Sequence, residues 1–273
     1  MRIGIAQTSP RFGEIERNVK DALTLISEAQ ADLWVLPELF ATGYQFVSQA
    51  EVADLAEPVP GGPTTEALAA FCRDNGCHVV AGLPEAVDGS FFNSSILVGP
   101  DGLISCYRKV HLFDRETLWF QPGDRRFFVD PVNGVRVGMM VCFDHLFCES
   151  ARSLALLGAD VIAHPSNLVM PDLAQRTMTI RALENAVYTV TANRVGSESR
   201  DGTTLVYTGQ SQIVSPTGEI LVRLSPDRVE TVVAEIDPTQ ARRKRITEHN
   251  DRLTDRRPTL YTFENVRNDE EVR

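Results

Sequence analysis

Apolar residues recur along the chain in two rhythms. Short apolar runs predict buried strands at Arg2–Gln7, Asp32–Leu36, His78–Leu83, Phe92–Val98, Leu103–Tyr107, Val137–Val141, Asp160–Ala163, Tyr188–Ala192, Gln210–Val214 and Thr231–Ile236. Between them the spacing switches to that of a helix. Over Glu14–Ala29, the residues Val19, Ala22, Leu23, Ile26 and Ala29 share one face of an amphipathic helix. A second helix, capped near Thr64, carries Ala67, Leu68, Ala70 and Phe71. A third presents Ser150, Ala151, Leu154, Leu156 and Leu157, and a fourth covers Leu173–Ala186. The turn Gly99-Pro100-Asp101-Gly102 reads as a hairpin, and Ser215-Pro216-Thr217-Gly218 marks another. Such alternation of strands and helices predicts an α/β fold. No low-complexity linker or short repeat interrupts it, so a single domain over 1–273 is expected, with a charged C-terminal extension from about Arg242 and a frayed tail from Asn265.

Composition narrows the function classes. A chain of 273 residues, 43% hydrophobic, can bury a sizeable core. Its 37 acidic and 27 basic residues leave a net charge of −10, which argues against nucleic acid or an anionic membrane as partner. In that setting the basic cluster Arg242–Arg245 is expected to be a solvated helix face or a subunit contact. No apolar stretch reaches the length of a membrane span, and Met1–Ala6 enters a strand without a signal peptide, so a cytoplasmic location is expected. Cys72, Cys77, Cys106, Cys142 and Cys148 are odd in number, and neither they nor the scattered histidines have metal-ligand spacing. Neither a disulfide framework nor a metal or other cofactor is expected.

Reactive side chains gather at strand ends. The run Val137–Val141 stops at Cys142-Phe143-Asp144-His145, just before a helical pattern, so Cys142 sits at a strand-to-helix turn where free N–H groups can stabilise an anion. The strand Asp32–Leu36 is stopped by Pro37-Glu38, and Leu103–Tyr107 leads into Arg108-Lys109-Val110-His111. A thiol, a carboxylate and an ammonium thus occupy equivalent positions, and the ends of strands in one sheet converge in space.

Leu36-Pro37-Glu38-Leu39-Phe40, Tyr107-Arg108-Lys109-Val110-His111-Leu112-Phe113 and Val141-Cys142-Phe143-Asp144 resemble the motifs of the carbon–nitrogen hydrolase (nitrilase) superfamily, with Gly158-Ala159-Asp160 and Pro165-Ser166-Asn167 downstream. The resemblance extends from Ile3 to about Tyr261. Within the superfamily, Glu149–Arg152, Asn167–Pro171 and Arg181–Asn185 are most similar to the thermoactive aliphatic nitrilase of archaea. It implies a four-layer αββα sandwich, a buried Glu–Lys–Cys triad and assembly into a homodimer or larger oligomer. Carried over by position, Cys142 matches the nucleophile, Glu38 the general base, Lys109 the cationic stabiliser and Glu116 the second glutamate that orients the site. Tyr44, Phe143, His145 and Asn167 are the candidate substrate-binding residues.

A thiol near its free pKa is mostly protonated at neutral pH, so attack on an amide or nitrile carbon needs a carboxylate base, and the resulting anion needs a cation or N–H donors. The expected reaction is hydrolysis of a small amide or nitrile to the acid and ammonia through an acyl-Cys142 intermediate. An N-carbamoyl amidohydrolase, an acyltransferase using the same thioester, or a scaffold with a relic site are the alternatives. Superfamily members acting on amides often read Cys-Tyr-Asp followed by Phe-Pro-Glu, and many dedicated nitrilases read Cys-Trp-Glu. This chain has Phe143 after Cys142, and Cys148 before Glu149, so both substrate types stay open.

Overall fold

A computed structural model describes residues 1–262; the frayed tail expected from Asn265 lies outside the described residues. The first half of the chain builds one sheet. β1 (Arg2–Gln7), β2 (Leu33–Val35) and β3 (His78–Val87) run parallel, with α1 (Ile15–Ser27), α2 (Gln49–Leu55) and α3 (Pro63–Asn75) in the crossovers. β4 (Ser90–Gly99) and β5 (Gly102–Arg108) return antiparallel, and the short helix α4 (Glu116–Trp119) follows. The second sheet starts with β6 (Val129–Val132) antiparallel to β7 (Val135–Met139). β8 (Val161–Pro165) and β9 (Tyr188–Ala192) lie parallel to β7, linked by α5 (Cys148–Leu156) and α6 (Leu173–Asn185). A separate hairpin of β10 (Ser197–Arg200) and β11 (Thr203–Val206) precedes β12 (Gln212–Val214) and β13 (Ile220–Arg223). β14 (Glu230–Glu235) then crosses to pair with β1, ahead of α7 (Pro238–Ala241). The sheet orders are β14-β1-β2-β3-β4-β5 and β13-β12-β9-β8-β7-β6.

The two-residue period of the strands sorts side chains into layers. Ile3, Ile5, Leu33, Val35 and Val80 face Val137, Met139, Val161, Ala163 and Val190 across the space between the sheets. The alternate residues Ala6, Trp34, Leu36, Val79 and Ala81 turn outward against Val19, Ala22 and Ile26 of α1 and Leu68, Ala69 and Cys72 of α3. On the other side, Met140 and Ile162 pack beneath Ala151, Leu154 and Ala155 of α5 and Met178 of α6. The result is a helix–sheet–sheet–helix sandwich, as expected from the resemblance. At Gly4 a Cβ would come within 2.3 Å of the Trp34 ring, so this position has no room for a side chain.

Several elements depart from the sequence reading. The N-cap of α3 is Gly62, with Pro63 in the first turn; Thr64 instead bonds Glu57 through its hydroxyl at 2.5 Å. A proline preorganises the first helical turn and lacks only an N–H that has no partner there. The unpredicted strand β6 contains Pro131, which suits its place at a sheet edge. The unpredicted β10 and β11 are polar because they form an exposed ribbon outside both sheets. In the basic cluster after α7, Arg242, Arg243 and Arg245 are exposed, Arg242 pairs with Asp160 at 2.9 Å, and Lys244 donates to the carbonyls of Asn185 and Ala186. Among the described residues no helix is long and apolar enough to cross a membrane.

Candidate active site

The three strand ends meet, but from two sheets rather than one. Glu38 and Lys109 follow β2 and β5 of the first sheet, while Cys142 follows β7 of the second. Facing sheets bring them together at one edge of the sandwich.

Glu38 is held by backbone. The Gly82 N–H donates to the Pro37 carbonyl at 3.1 Å and the Gly82 carbonyl accepts from Phe40 at 3.2 Å, pinning the Pro37–Phe40 turn onto β3. A Cβ on Gly82 would meet the Glu38 Cα at 2.6 Å, so this approach requires glycine. Lys109 continues the pairing of β5 with β4, donating its N–H to the Asn93 carbonyl at 2.8 Å. Glu116 opens α4, where the partial positive charge of a helix start favours a carboxylate.

The Lys109 Nζ donates to Glu38 Oε1 at 2.8 Å and to Glu116 Oε1 at 2.7 Å, and all three side chains are buried. Asn93 Nδ2 donates to the same Glu38 oxygen at 2.7 Å and reaches Glu116 Oε2 at 3.4 Å. The Tyr44 hydroxyl completes the shell, donating to Glu116 Oε1 at 2.7 Å. Among the described residues Glu38 Oε2 has no partner. One oxygen of this carboxylate is therefore occupied by two donors while the other is free to take a proton. Burial opposes a charge on Lys109, but Glu116 and Glu38 outweigh it and raise its pKa. Burial also raises the Glu116 pKa, against the pull of Lys109.

Cys142 occupies a sharp turn. It adopts φ +42°, a left-handed conformation that few residues other than glycine take up, between β7 and a 3-10 turn over Cys142–Leu146. Two side chains hold it there. Asp144 Oδ2 accepts from the Val141 N–H at 2.9 Å and from the Tyr107 hydroxyl at 2.8 Å; Asp144 Oδ1 accepts the His111 N–H at 3.1 Å. His164, buried at the end of β8, lies with Nε2 2.8 Å from the Cys142 carbonyl oxygen, to which that nitrogen must donate. Burial lowers the His164 pKa to about 4, so the ring is neutral and Nδ1 is left to accept from Thr191 at 3.1 Å. At the start of a 3-10 turn the Phe143 N–H has no acceptor within the turn, so it is available beside the thiol. Burial pushes the Cys142 thiol well above its ordinary pKa; Glu38 adds to this and Lys109 opposes it.

Of the candidate substrate-binding residues, Phe143, His145 and Asn167 line a pocket with Cys142, whose remaining wall includes Phe113, Leu168, Met170 and Leu173. Asn167 Nδ2 donates to the Glu38 carbonyl at 2.8 Å, linking the two sheets. Tyr44 lines a neighbouring cavity with Phe113, Glu116 and Trp119 and reaches the site only through Glu116. Sequence reading missed Asn93, Asp144 and His164. A polar run, Asn93-Ser94-Ser95, inside the apolar β4 was the available signal for the first. Among the described residues no His, Cys, Asp or Glu side chains gather into a group that could hold a metal ion.

Comparison with known proteins matches this architecture. The sequence profile of the carbon-nitrogen hydrolase family covers residues 2–246. A nitrilase of Pyrococcus abyssi is 48% identical over 96% of this chain and 99% of its own length. An (R)-stereoselective amidase of Pseudomonas is 38% identical over 95% of this chain and 93% of its own. Among solved structures, an amidase variant from Nesterenkonia sp. AN1, carrying the product of acrylamide addition at its active-site cysteine, superposes with a TM-score of 0.78. It is 27% identical over 95% of this chain and 98% of that one.

The raised thiol pKa has a directional consequence. Burial and Glu38 together hold the Cys142 thiol above the ordinary thiol range, so it is protonated at neutral pH. The thiolate ultraviolet absorbance of the protein, minus that of its Cys142→Ala variant, should stay flat through neutral pH. A difference signal that rises near neutrality would contradict the arrangement.

Proposed function

Because the chain belongs to the carbon–nitrogen hydrolase family, we propose that it cleaves a small amide or nitrile to the carboxylic acid and ammonia through an acyl-enzyme on Cys142. The observation that carries this reading is the Lys109 ammonium held between Glu38 and Glu116, beside a thiol and a carboxylate oxygen with no partner.

As Cys142 Sγ attacks the amide carbon, Glu38 Oε2 takes its proton. The negative charge that develops on the former carbonyl oxygen is met by the Lys109 ammonium and the Phe143 N–H. The carbon–nitrogen bond breaks as Glu38 returns the proton to the leaving nitrogen, releasing ammonia and leaving a thioester. Glu38, again a carboxylate, deprotonates a water that attacks the thioester; collapse expels the thiolate, which recovers the proton, and the acid leaves. A nitrile instead gives a thioimidate as Glu38 passes the thiol proton to the nitrile nitrogen; one water then adds, ammonia leaves, and the same thioester remains for a second water. Throughout, Lys109 keeps its charge while Glu38 alternates, and Glu116 holds the lysine in place. Transfer of the acyl group to an amine instead of water is the alternative use of the same thioester, and N-carbamoyl compounds are an alternative substrate class.

On this reading the chain also assembles into a homodimer or a larger homo-oligomer. Leu156 and Leu157 at the end of α5, with Ile180 and Leu183 of α6, are 47%, 42%, 50% and 40% exposed, an apolar area on neighbouring helices that a second copy would cover by two-fold symmetry. Light scattering at micromolar concentration should give at least the dimer mass, and Ile180→Asp should shift it toward the monomer; a monomeric parent protein would remove this part of the proposal.

A screen of amides, nitriles and N-carbamoyl compounds for ammonia release identifies the reaction, with Cys142→Ala inactive but folded. The two carboxylates are then separated by partial reactions. Glu38→Gln should reduce turnover about 100- to 10,000-fold, because it removes the base while keeping the shape. With an activated ester, Glu116→Gln should still acylate Cys142 in a burst, whereas Glu38→Gln should acylate slowly. A normal burst in Glu38→Gln and none in Glu116→Gln would reverse the two assignments.

A further inference from the structure

The wall of the Cys142 pocket bears on which acyl groups can enter it. Phe113, Phe143, Leu168, Met170 and Leu173 give it an apolar body. Its polar side chains are His145 and Asn167, only 2% and 3% exposed. Each holds a buried atom with no partner among the described residues, Nδ1 of His145 and Oδ1 of Asn167. The Asn167 amide is oriented by its donor bond to the Glu38 carbonyl, so Oδ1 is an acceptor that a ligand can satisfy. Burial, with His164, Arg181 and Lys109 nearby, pushes the His145 pKa down to about 3, so the ring adds no charge.

Among the described residues no lysine or arginine lines the pocket, and Lys109, Arg181 and Arg115 have partners elsewhere. Lys109 is bound by two carboxylates, which leaves the group net negative. Arg181 donates to the carbonyls of His145 and Leu146 and to Glu184. Arg115 turns to Asp201 at 3.1 Å. With the remaining Lys109 N–H given to the reacting carbonyl oxygen, a carboxylate carried on the acyl part would lose its water and find no positive partner along the pocket wall. An N–H or O–H group near the scissile carbon would instead meet the waiting acceptor of Asn167.

We propose that the pocket selects substrates whose acyl part is uncharged, with an apolar body and an N–H or O–H donor close to the reacting carbon, and excludes those that carry a carboxylate. This rests on the reading of Cys142 as nucleophile. Within the carbamoyl class it excludes N-carbamoyl amino acids and leaves neutral ureas.

The test uses matched pairs with ammonia release as readout. Succinamate should be turned over with a kcat/KM about 100-fold or more below that of its methyl ester, because the two differ in the desolvated charge. Lactamide should exceed propionamide several-fold, because the two differ in the donor. Binding of each pair to the full-length Cys142→Ala variant by calorimetry should give the same order without chemistry. If no amide, nitrile or carbamoyl compound yields ammonia, the hydrolase reading fails, and the binding order alone judges the pocket. Succinamate binding or reacting within tenfold of its ester overturns the charge selection, and propionamide matching lactamide overturns the donor.

Discussion

The Lys109 ammonium, enclosed by Glu38 and Glu116 without access to water, is the interaction on which the rest of the site depends. Two carboxylates this close cannot both stay ionised in a buried setting unless a cation lies between them. The lysine in turn cannot keep its proton there without both carboxylates. Each of the three is therefore an expensive group to bury alone, and removal of one partner of such a pair typically destabilises a protein by about 3–5 kcal/mol. Asn93 and Tyr44 add neutral donors to the same oxygens, so the charge on the lysine is shared without a second cation. The one oxygen left open, Glu38 Oε2, marks the side from which a proton can arrive.

This charge cluster works only if the two sheets hold their edges in register. Asn167, on the second sheet, bonds the Glu38 carbonyl on the first, and Tyr107, at the end of β5, bonds Asp144 below Cys142. Each crosses the sandwich once. The backbone is tight where they do so: Leu39 beside Glu38 has φ +49° and Cys142 has φ +42°. Such conformations persist where surrounding contacts over-determine them, and here Gly82, Asp144 and His164 provide those contacts.

The fold was legible because its central strands are buried on both faces and read as apolar runs, from Ile3–Ala6 to Val187–Ala192. The candidate reactive side chains were legible because a thiol, a carboxylate and an ammonium at strand exits conflict with burial. Their assembly across two sheets was not, since strand ends alone do not say which sheet a strand joins. Asn93 and His164 escaped for a related reason: each acts on a residue distant in sequence, and only the polar run around Asn93 hinted at it locally. Asp144 stands in the motif beside Cys142, but its bonds to Tyr107 and His111 join segments far apart in the chain. The polar ribbon β10–β11 escaped because nothing apolar outlines it. Yet its Glu198 accepts from the Tyr44 and Gln45 N–H groups and so supports the loop that holds Glu116.

The protonation of Lys109 tests this account most directly, because the base, the oxyanion and the thiol all rely on it. Nitrogen-15 NMR of the Lys109 Nζ in the folded protein, assigned with a Lys109→Gln variant, follows that charge through a pH titration. The account predicts an ammonium signal that persists past roughly pH 10.4, where a free lysine is half-titrated. A Lys109 amine that loses its proton below that pH would contradict it.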